Sequence, residues 1–65
     1  MPYVNIKVTP KITKEQKLLL VKDITDSLQR HLGKDPKLTH IVIDEVEESN
    51  WGFNGILISE RGKNK

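Results

Sequence analysis

The chain begins Met1-Pro2-Tyr3, so removal of Met1 would leave Pro2 with a free secondary amine at the N-terminus. An α-amino group titrates at about pH 7.7–8.0, and desolvation or nearby cations favour its neutral form, which accepts a proton. Inside a chain the proline nitrogen is an amide and has no basicity. Pro2 is therefore a candidate general base, but only after Met1 is cut away. Proline is also a common residue, and Pro2 alone is more often an ordinary strand-start proline.

A second set of residues that could do chemistry is a group of carboxylates late in the chain: Asp44, Glu45, Glu47 and Glu48. Such a group can hold a metal or form an acid/base pair. No second ligand cluster accompanies it, so the simpler interpretation is a strand end with solvated side chains. The chain has no cysteine and no paired-histidine motif. We expect neither a metal nor a cofactor.

The elements that must position these residues are predicted in the order strand, helix, strand. Val4, Ile6 and Val8 alternate with other residues, the period-two pattern of a half-buried strand. Thr13 followed by Gln16 has the form of a capping box, so a helix should begin near Lys14. It should end at about Leu32, where Gly33 can take the left-handed position and Pro36 prevents continuation.

The helix carries one apolar stripe about 120° wide, made of Leu20, Val21, Ile24, Leu28, His31 and Leu32. Leu18 and Leu19 lie outside it and suggest a contact with another subunit. The next apolar run, Ile41–Val46, is predicted as a second strand. A crossover of about thirty residues implies that the two strands are parallel.

A third apolar run, Ile56 to Ile58, follows a segment rich in glycine and asparagine and could form a short strand or a hairpin arm. We therefore predict the α/β (α+β) class, with a single βαβ unit and a short C-terminal hairpin or strand. A two-stranded sheet is not stable alone, and a 65-residue chain buries little surface. Assembly into a homo-oligomer, a dimer at the least, is expected.

Composition excludes several classes of function. Eleven basic against nine acidic residues give a formal charge of +2, and the chain has one each of Trp, Tyr and Phe, too few to interleave a nucleic-acid surface. No apolar run is long enough for a membrane span or a secretory signal. We expect a cytoplasmic protein with one domain at residues 1–60 and a flexible basic tail at 61–65.

Three segments together resemble the small 4-oxalocrotonate tautomerase family: the start Met1-Pro2-Tyr3-Val4-Asn5-Ile6-Lys7-Val8, the helix opening Glu15-Gln16-Lys17, and the stretch from Val42 to Val46 and on through Asn50-Trp51-Gly52-Phe53-Asn54-Gly55. The match covers nearly the whole chain except the tail. The resemblance implies a tautomerase-like fold, a hexamer, and an isomerase in which the N-terminal proline converts the enol or dienol form of a small 2-keto acid to the keto or conjugated ketone form.

The resemblance also implies substrate-binding positions. Relatives commonly use one arginine after the first strand and a second at the second strand to hold an acidic substrate. Here Lys11 is the nearest cation in the loop, and His40 occupies the second position. Lysine supplies a point charge where arginine supplies a bidentate fork, so a dicarboxylate substrate is in doubt. Trp51 takes the place of the aromatic or apolar residue that lines the pocket in relatives.

Two hypotheses from different classes stay open. In the first, Pro2 is the catalytic base of a tautomerase whose substrate is held by Lys11, His40 and Trp51. In the second, the chain is a catalytically inactive oligomeric scaffold or binding module of the same fold, since both family arginines are missing. His40 also has the simpler interpretation of a strand-start residue, and Trp51 that of a packing residue at a subunit contact.

Overall fold

The computed structural model describes residues 1–61. The elements are β1 (Tyr3–Val8), α1 (Lys14–Leu32), β2 (His40–Glu45), β3 (Gly52–Phe53) and β4 (Ile56–Leu57), with single turns of 3-10 helix at Pro36–Leu38, Glu48–Asn50 and Ile58–Glu60. The βαβ order is confirmed. Of the two alternatives for the C-terminal segment, a strand or a hairpin, β3 and β4 form the hairpin. Of the predicted tail, residues 62–65 lie outside the described residues.

Helix α1 has the bounds that its capping residues predict. The Thr13 hydroxyl accepts a hydrogen bond from the Gln16 backbone N–H at 3.0 Å, and the Gln16 side-chain oxygen accepts one from the Thr13 N–H at 2.9 Å. At the other end Gly33 has φ 66° and donates to the Gln29 carbonyl at 2.9 Å. Both ends depend on residues within one turn, which is why the sequence predicts them well.

Strands β1 and β2 are parallel, with Tyr3 opposite His40 and Val8 opposite Glu45. The second strand begins one residue before the predicted Ile41. The reason is a hydrogen bond from the His40 N–H to the Pro2 carbonyl at 3.0 Å, which extends the ladder to this edge. Because the strands are parallel, their N-terminal ends lie at one edge of the sheet and their C-terminal ends at the other.

The two faces of this sheet differ. One faces α1, and an ion pair between Lys17 of the helix and Glu45 of β2 marks that side. The other carries Tyr3, 65% exposed, and Val42, 43% exposed, beside an ion pair in which the Lys7 ammonium lies 2.8 Å from Asp44 Oδ2. The hydrogen bond that the Lys7 ammonium donates to the Asp44 carboxylate raises the pKa of Lys7. No described element of the chain covers this second face, which we call the open face.

Only some residues of the apolar stripe of α1 are half-buried, and the others are exposed. Val21, Ile24 and Leu28 are half-buried, whereas Leu20, His31 and Leu32 are exposed. A helix of 19 residues is about 28 Å long, and six-residue strands span only about 20 Å. The last turn of the helix therefore extends beyond the sheet that would cover it. Leu18 and Leu19 are exposed, as expected for residues off the stripe.

Within residues 1–61 no side chain is fully buried. The radius of gyration is 15.4 Å, and the dimensions are 47 × 24 × 15 Å. A compact chain of this length has a radius of gyration of about 11 Å. The single chain is thus extended, and much of its apolar surface is exposed.

Candidate active site

Pro2 lies immediately before β1 at the N-terminal edge of the sheet. It is half-buried, and its carbonyl accepts the His40 N–H bond that ties the two strands together. Met1, by contrast, is 81% exposed. The sheet therefore fixes the Pro2 backbone at this edge, and the preceding residue lies at the surface.

His40 lies at the same edge but on the other face. It pairs with Tyr3, whose side chain lies on the open face, while Pro2 follows the alternation of Val4 and Ile6 on the side of the helix. The side chains of Pro2 and His40 therefore lie on opposite faces of the sheet. Within one protomer the imidazole and the proline ring do not converge on a common pocket.

Lys11 lies at the opposite, C-terminal edge of the sheet, in the loop between β1 and α1. Its φ is 79°, in the left-handed region that residues other than glycine seldom adopt. Six strand residues separate this loop from Pro2, a distance of about 20 Å. A small 2-keto acid is much shorter than this, so Pro2 and Lys11 of the same protomer cannot contact one substrate molecule.

A cleft of about 310 Å³ lies beside Lys11, and it is lined by Pro10, Lys11, Glu47, Glu48, Ser49 and Ser59. Glu47 and Glu48 are part of the carboxylate group that the sequence favours as solvated. Both are exposed, but the fold places them next to a predicted substrate-binding cation. The sequence contained a signal for this proximity, because the segments that follow two parallel strands lie at the same edge of the sheet.

Trp51 follows the 3-10 turn Glu48–Asn50 and precedes the hairpin. It is half-buried, and its carbonyl accepts a hydrogen bond from the Ile58 N–H at 2.8 Å. This bond holds the start of the hairpin against the turn after it. Trp51 therefore lies towards the Lys11 edge of the sheet, although it is not one of the residues that line the cleft.

The predicted site residues thus form two groups at opposite edges of one protomer, Pro2 with His40 and Lys11 with Trp51. A base and a cation can act on the same small molecule only if they come within a few ångströms of it. The arrangement can do this chemistry when copies of the chain place the N-terminal edge of one against the C-terminal edge of another.

Other features of the described residues bear on the class of function. Residues 1–61 contain no group of three or more His, Asp or Glu side chains arranged to hold a metal ion. Over the same range, no helix is both long enough and apolar enough to cross a membrane.

Comparison with known proteins gives consistent matches over almost the whole chain. The family model described as "Tautomerase enzyme" matches residues 2–61. Probable tautomerase K2 of Dickeya dadantii is 47% identical over 62 residues, which cover 94% of this chain and 92% of that protein. The match to the family model begins at Pro2 and omits Met1.

Solved structures agree with these matches. The crystal structure of DmpI from Helicobacter pylori has a TM-score of 0.89 at 30% identity, covering 98% of this chain and 100% of that one. A heterohexamer 4-oxalocrotonate tautomerase from Chloroflexus aurantiacus has a TM-score of 0.85 at 22% identity, covering 92% of this chain and 97% of that one. The second likeness shows the fold alone.

Proposed function

Because the chain belongs to the 4-oxalocrotonate tautomerase family, we propose that it is a keto-enol tautomerase in which Pro2 is the general base. Its substrate is the enol or dienol form of a small 2-keto acid. The neutral Pro2 amine takes the proton of the enol hydroxyl and returns a proton to carbon, so that the C=C bond becomes C–C and the C–O bond becomes C=O. The reaction is an isomerisation and requires no oxidant, reductant or cofactor.

One observation supports Pro2 above the other candidates: the family match begins at this residue, which the sheet holds half-buried through the bond to His40. Partial burial disfavours the charged amine and so favours the form that accepts a proton. This role requires that Met1 be removed, because the nitrogen is otherwise an amide.

Substrate binding is proposed for Lys11, His40 and Trp51. Lys11 supplies a positive charge for a carboxylate, His40 a hydrogen-bond donor, and Trp51 an apolar wall that excludes water. Since Pro2 and Lys11 are about 20 Å apart in one protomer, each site combines residues of different copies. A dimer is the minimum assembly, and the hexameric assembly of the Chloroflexus aurantiacus relative favours a hexamer. The cytoplasmic location remains a prediction.

The test of this function compares three forms of the protein on the enol of phenylpyruvate, whose ketonisation is followed by ultraviolet absorbance. The first has lost Met1, as verified by intact mass. The second keeps an uncleaved N-terminal tag, which retains the proline ring and removes its basicity. A general base contributes about 10²- to 10⁴-fold to the rate, and we expect the tagged form to lose that factor.

The third form is Pro2→Ala, which keeps a primary amine and is expected to lose most of the rate, about tenfold to 100-fold. Pro36→Ala is the matched control, because Pro36 is an exposed proline at the start of a 3-10 turn. If the processed protein accelerates none of several enols above buffer, the tautomerase proposal is wrong.

The second candidate is a catalytically inactive scaffold or binding module. The observation that favours it is the absence of arginine at both positions where relatives carry one, with Lys11 and His40 in their place. A processed protein that assembles normally but catalyses no enol would establish this alternative.

A further inference from the structure

The cleft beside Lys11 has an unusual charge for a site that binds an acid. Its lining contains one cation, Lys11, and two carboxylates, Glu47 and Glu48, so its formal charge is −1 (one positive and two negative groups). A volume of about 310 Å³ corresponds to a sphere about 8 Å across, comparable with the screening length at physiological salt. Any charged group that enters the cleft therefore meets all three side chains.

The nearby cations do not offset these carboxylates. The ion pairs among residues 1–61 are Lys7–Asp44, Lys17–Glu45 and Arg30–Asp26. Lys7 and Lys17 are thus already paired with other acids. Lys11 forms no ion pair within this range, and neither do Lys14 and Arg61, but those two residues do not line the cleft. The lining of the cleft therefore supplies one ammonium, that of Lys11, and it is a point charge that satisfies one carboxylate rather than a bidentate fork.

From this geometry we infer that the substrate carries a single carboxylate, and that Glu47 and Glu48 are the residues that exclude a second one. The inference rests on the proposed tautomerase function and names the substrate class of the same site. A monoacid enol gains the attraction of Lys11. A diacid brings a further negative charge that no second cation in the lining of the cleft balances.

The size of the effect follows from Coulomb's law. A carboxylate about 6 Å from one glutamate binds about threefold more weakly even at the dielectric constant of water, and more so where the cleft excludes water. The two glutamates act against the one Lys11 ammonium, so their net charge of −1 gives a discrimination of about threefold. Added salt should reduce it, because the groups are exposed.

The test uses two enols that differ by one carboxylate, those of phenylpyruvate and para-carboxyphenylpyruvate, with the assembled, processed protein. We expect kcat/KM to favour the monoacid by about threefold. The double variant Glu47→Gln, Glu48→Gln should bring the ratio to one or below, because Lys11 is then the remaining charge in the lining. The Glu47 side chain makes no capping hydrogen bond to the 3-10 turn that follows it. Glu47 and Glu48 are both exposed, so the double variant should keep the fold. Asp23→Asn, an exposed carboxylate on α1, is the matched control and should leave the ratio unchanged.

A binding measurement separates this inference from the proposed function. Benzoylformate and its para-carboxy analogue cannot enolise, and their binding is followed by the fluorescence of Trp51, the single tryptophan. If neither enol reacts in a Pro2-dependent way, the proposed function fails and the binding ratio decides the inference. Equal use or equal binding of monoacid and diacid would overturn it, as would a ratio in the double variant that matches the Asp23→Asn control.

Discussion

At the scale of single residues, Lys11 has a strained backbone conformation and a positively charged side chain. Its φ of 79° places a lysine where glycine would be relaxed, and it lies in the cleft with two glutamates. Strained residues concentrate at functional sites, where the surrounding structure maintains them. The positive φ therefore supports Lys11 as a residue retained for its side chain, independently of the resemblance that first suggested it.

The first prediction concerns this strain. Lys11→Gly should raise the free energy of unfolding by roughly 0.5–1 kcal/mol. The left-handed conformation costs a residue other than glycine about 1–2 kcal/mol, and the substitution removes this cost. Glycine loses more backbone entropy on folding than lysine does, and this offsets part of the gain. The same variant should raise KM for the enol substrate. Both are measured at equal protomer concentration, by denaturant unfolding and by steady-state kinetics.

Lys22→Gly is the control, since Lys22 is an exposed residue in the middle of α1. The same chemical change there should lower stability by about 1 kcal/mol and leave KM unchanged. A loss of stability in Lys11→Gly equal to that of Lys22→Gly would mean that the loop is not strained.

At the scale of elements, the hairpin depends on one two-residue turn. Asn54 and Gly55, with φ 55° and 81°, connect β3 to β4. Positive φ at both central positions is the type I′ geometry that an Asn-Gly pair favours, and it matches the twist of the strands. This turn positions the segment that carries Trp51, whose carbonyl is bonded across the hairpin to Ile58.

The second prediction tests that turn. Gly55→Ala should destabilise the protein by about 1–2 kcal/mol through the backbone alone, since a Cβ at this position meets no atom within 4 Å. Gly52→Ala is the matched control, because its φ is not positive and a Cβ would lie 3.8 Å from the Ile56 carbonyl oxygen, an ordinary contact. Thermal unfolding and Trp51 fluorescence report on both. Equal effects of the two variants would contradict the type I′ assignment.

At the scale of the whole molecule, the protomer is an extended unit with no fully buried side chain in residues 1–61. Exposed apolar residues lie on the open face, on the hairpin and on the outer side of α1, among them Val42, Phe53, Leu18 and Leu19. Burial of such surface is the main source of stability. The exposed apolar surface and the separation of Pro2 from Lys11 therefore both predict that several copies of the chain assemble.

The third prediction tests whether sites combine residues from different copies. A tagged protein with blocked Pro2 and a Lys11→Met variant are each expected to be nearly inactive. When they are unfolded together and refolded as a mixture, about a quarter of the sites should combine an intact Pro2 with an intact Lys11 from another copy, and activity should reappear. Light scattering on the mixture verifies the assembly. A folded monomer, or no recovery from mixed oligomers, would contradict the shared site.

Much of this protein followed from the sequence because the relevant interactions are local. Thr13 and Gln16 determine where α1 begins, Gly33 where it ends, and Asn54-Gly55 where the chain reverses, each through contacts within a few residues. The alternation of β1 likewise predicted which side chains face the helix.

Only the tertiary structure decided how the candidate residues are distributed. Parallel pairing of β1 with β2 puts Pro2 and His40 at one edge and Lys11 at the other, and it brings Glu47 and Glu48 beside Lys11. These residues are far apart in the sequence, and no local pattern encodes their meeting. The sequence by itself determined a βαβ unit whose first strand follows directly after Pro2. The long-range strand pairing decided that one protomer holds two separated parts of the proposed site.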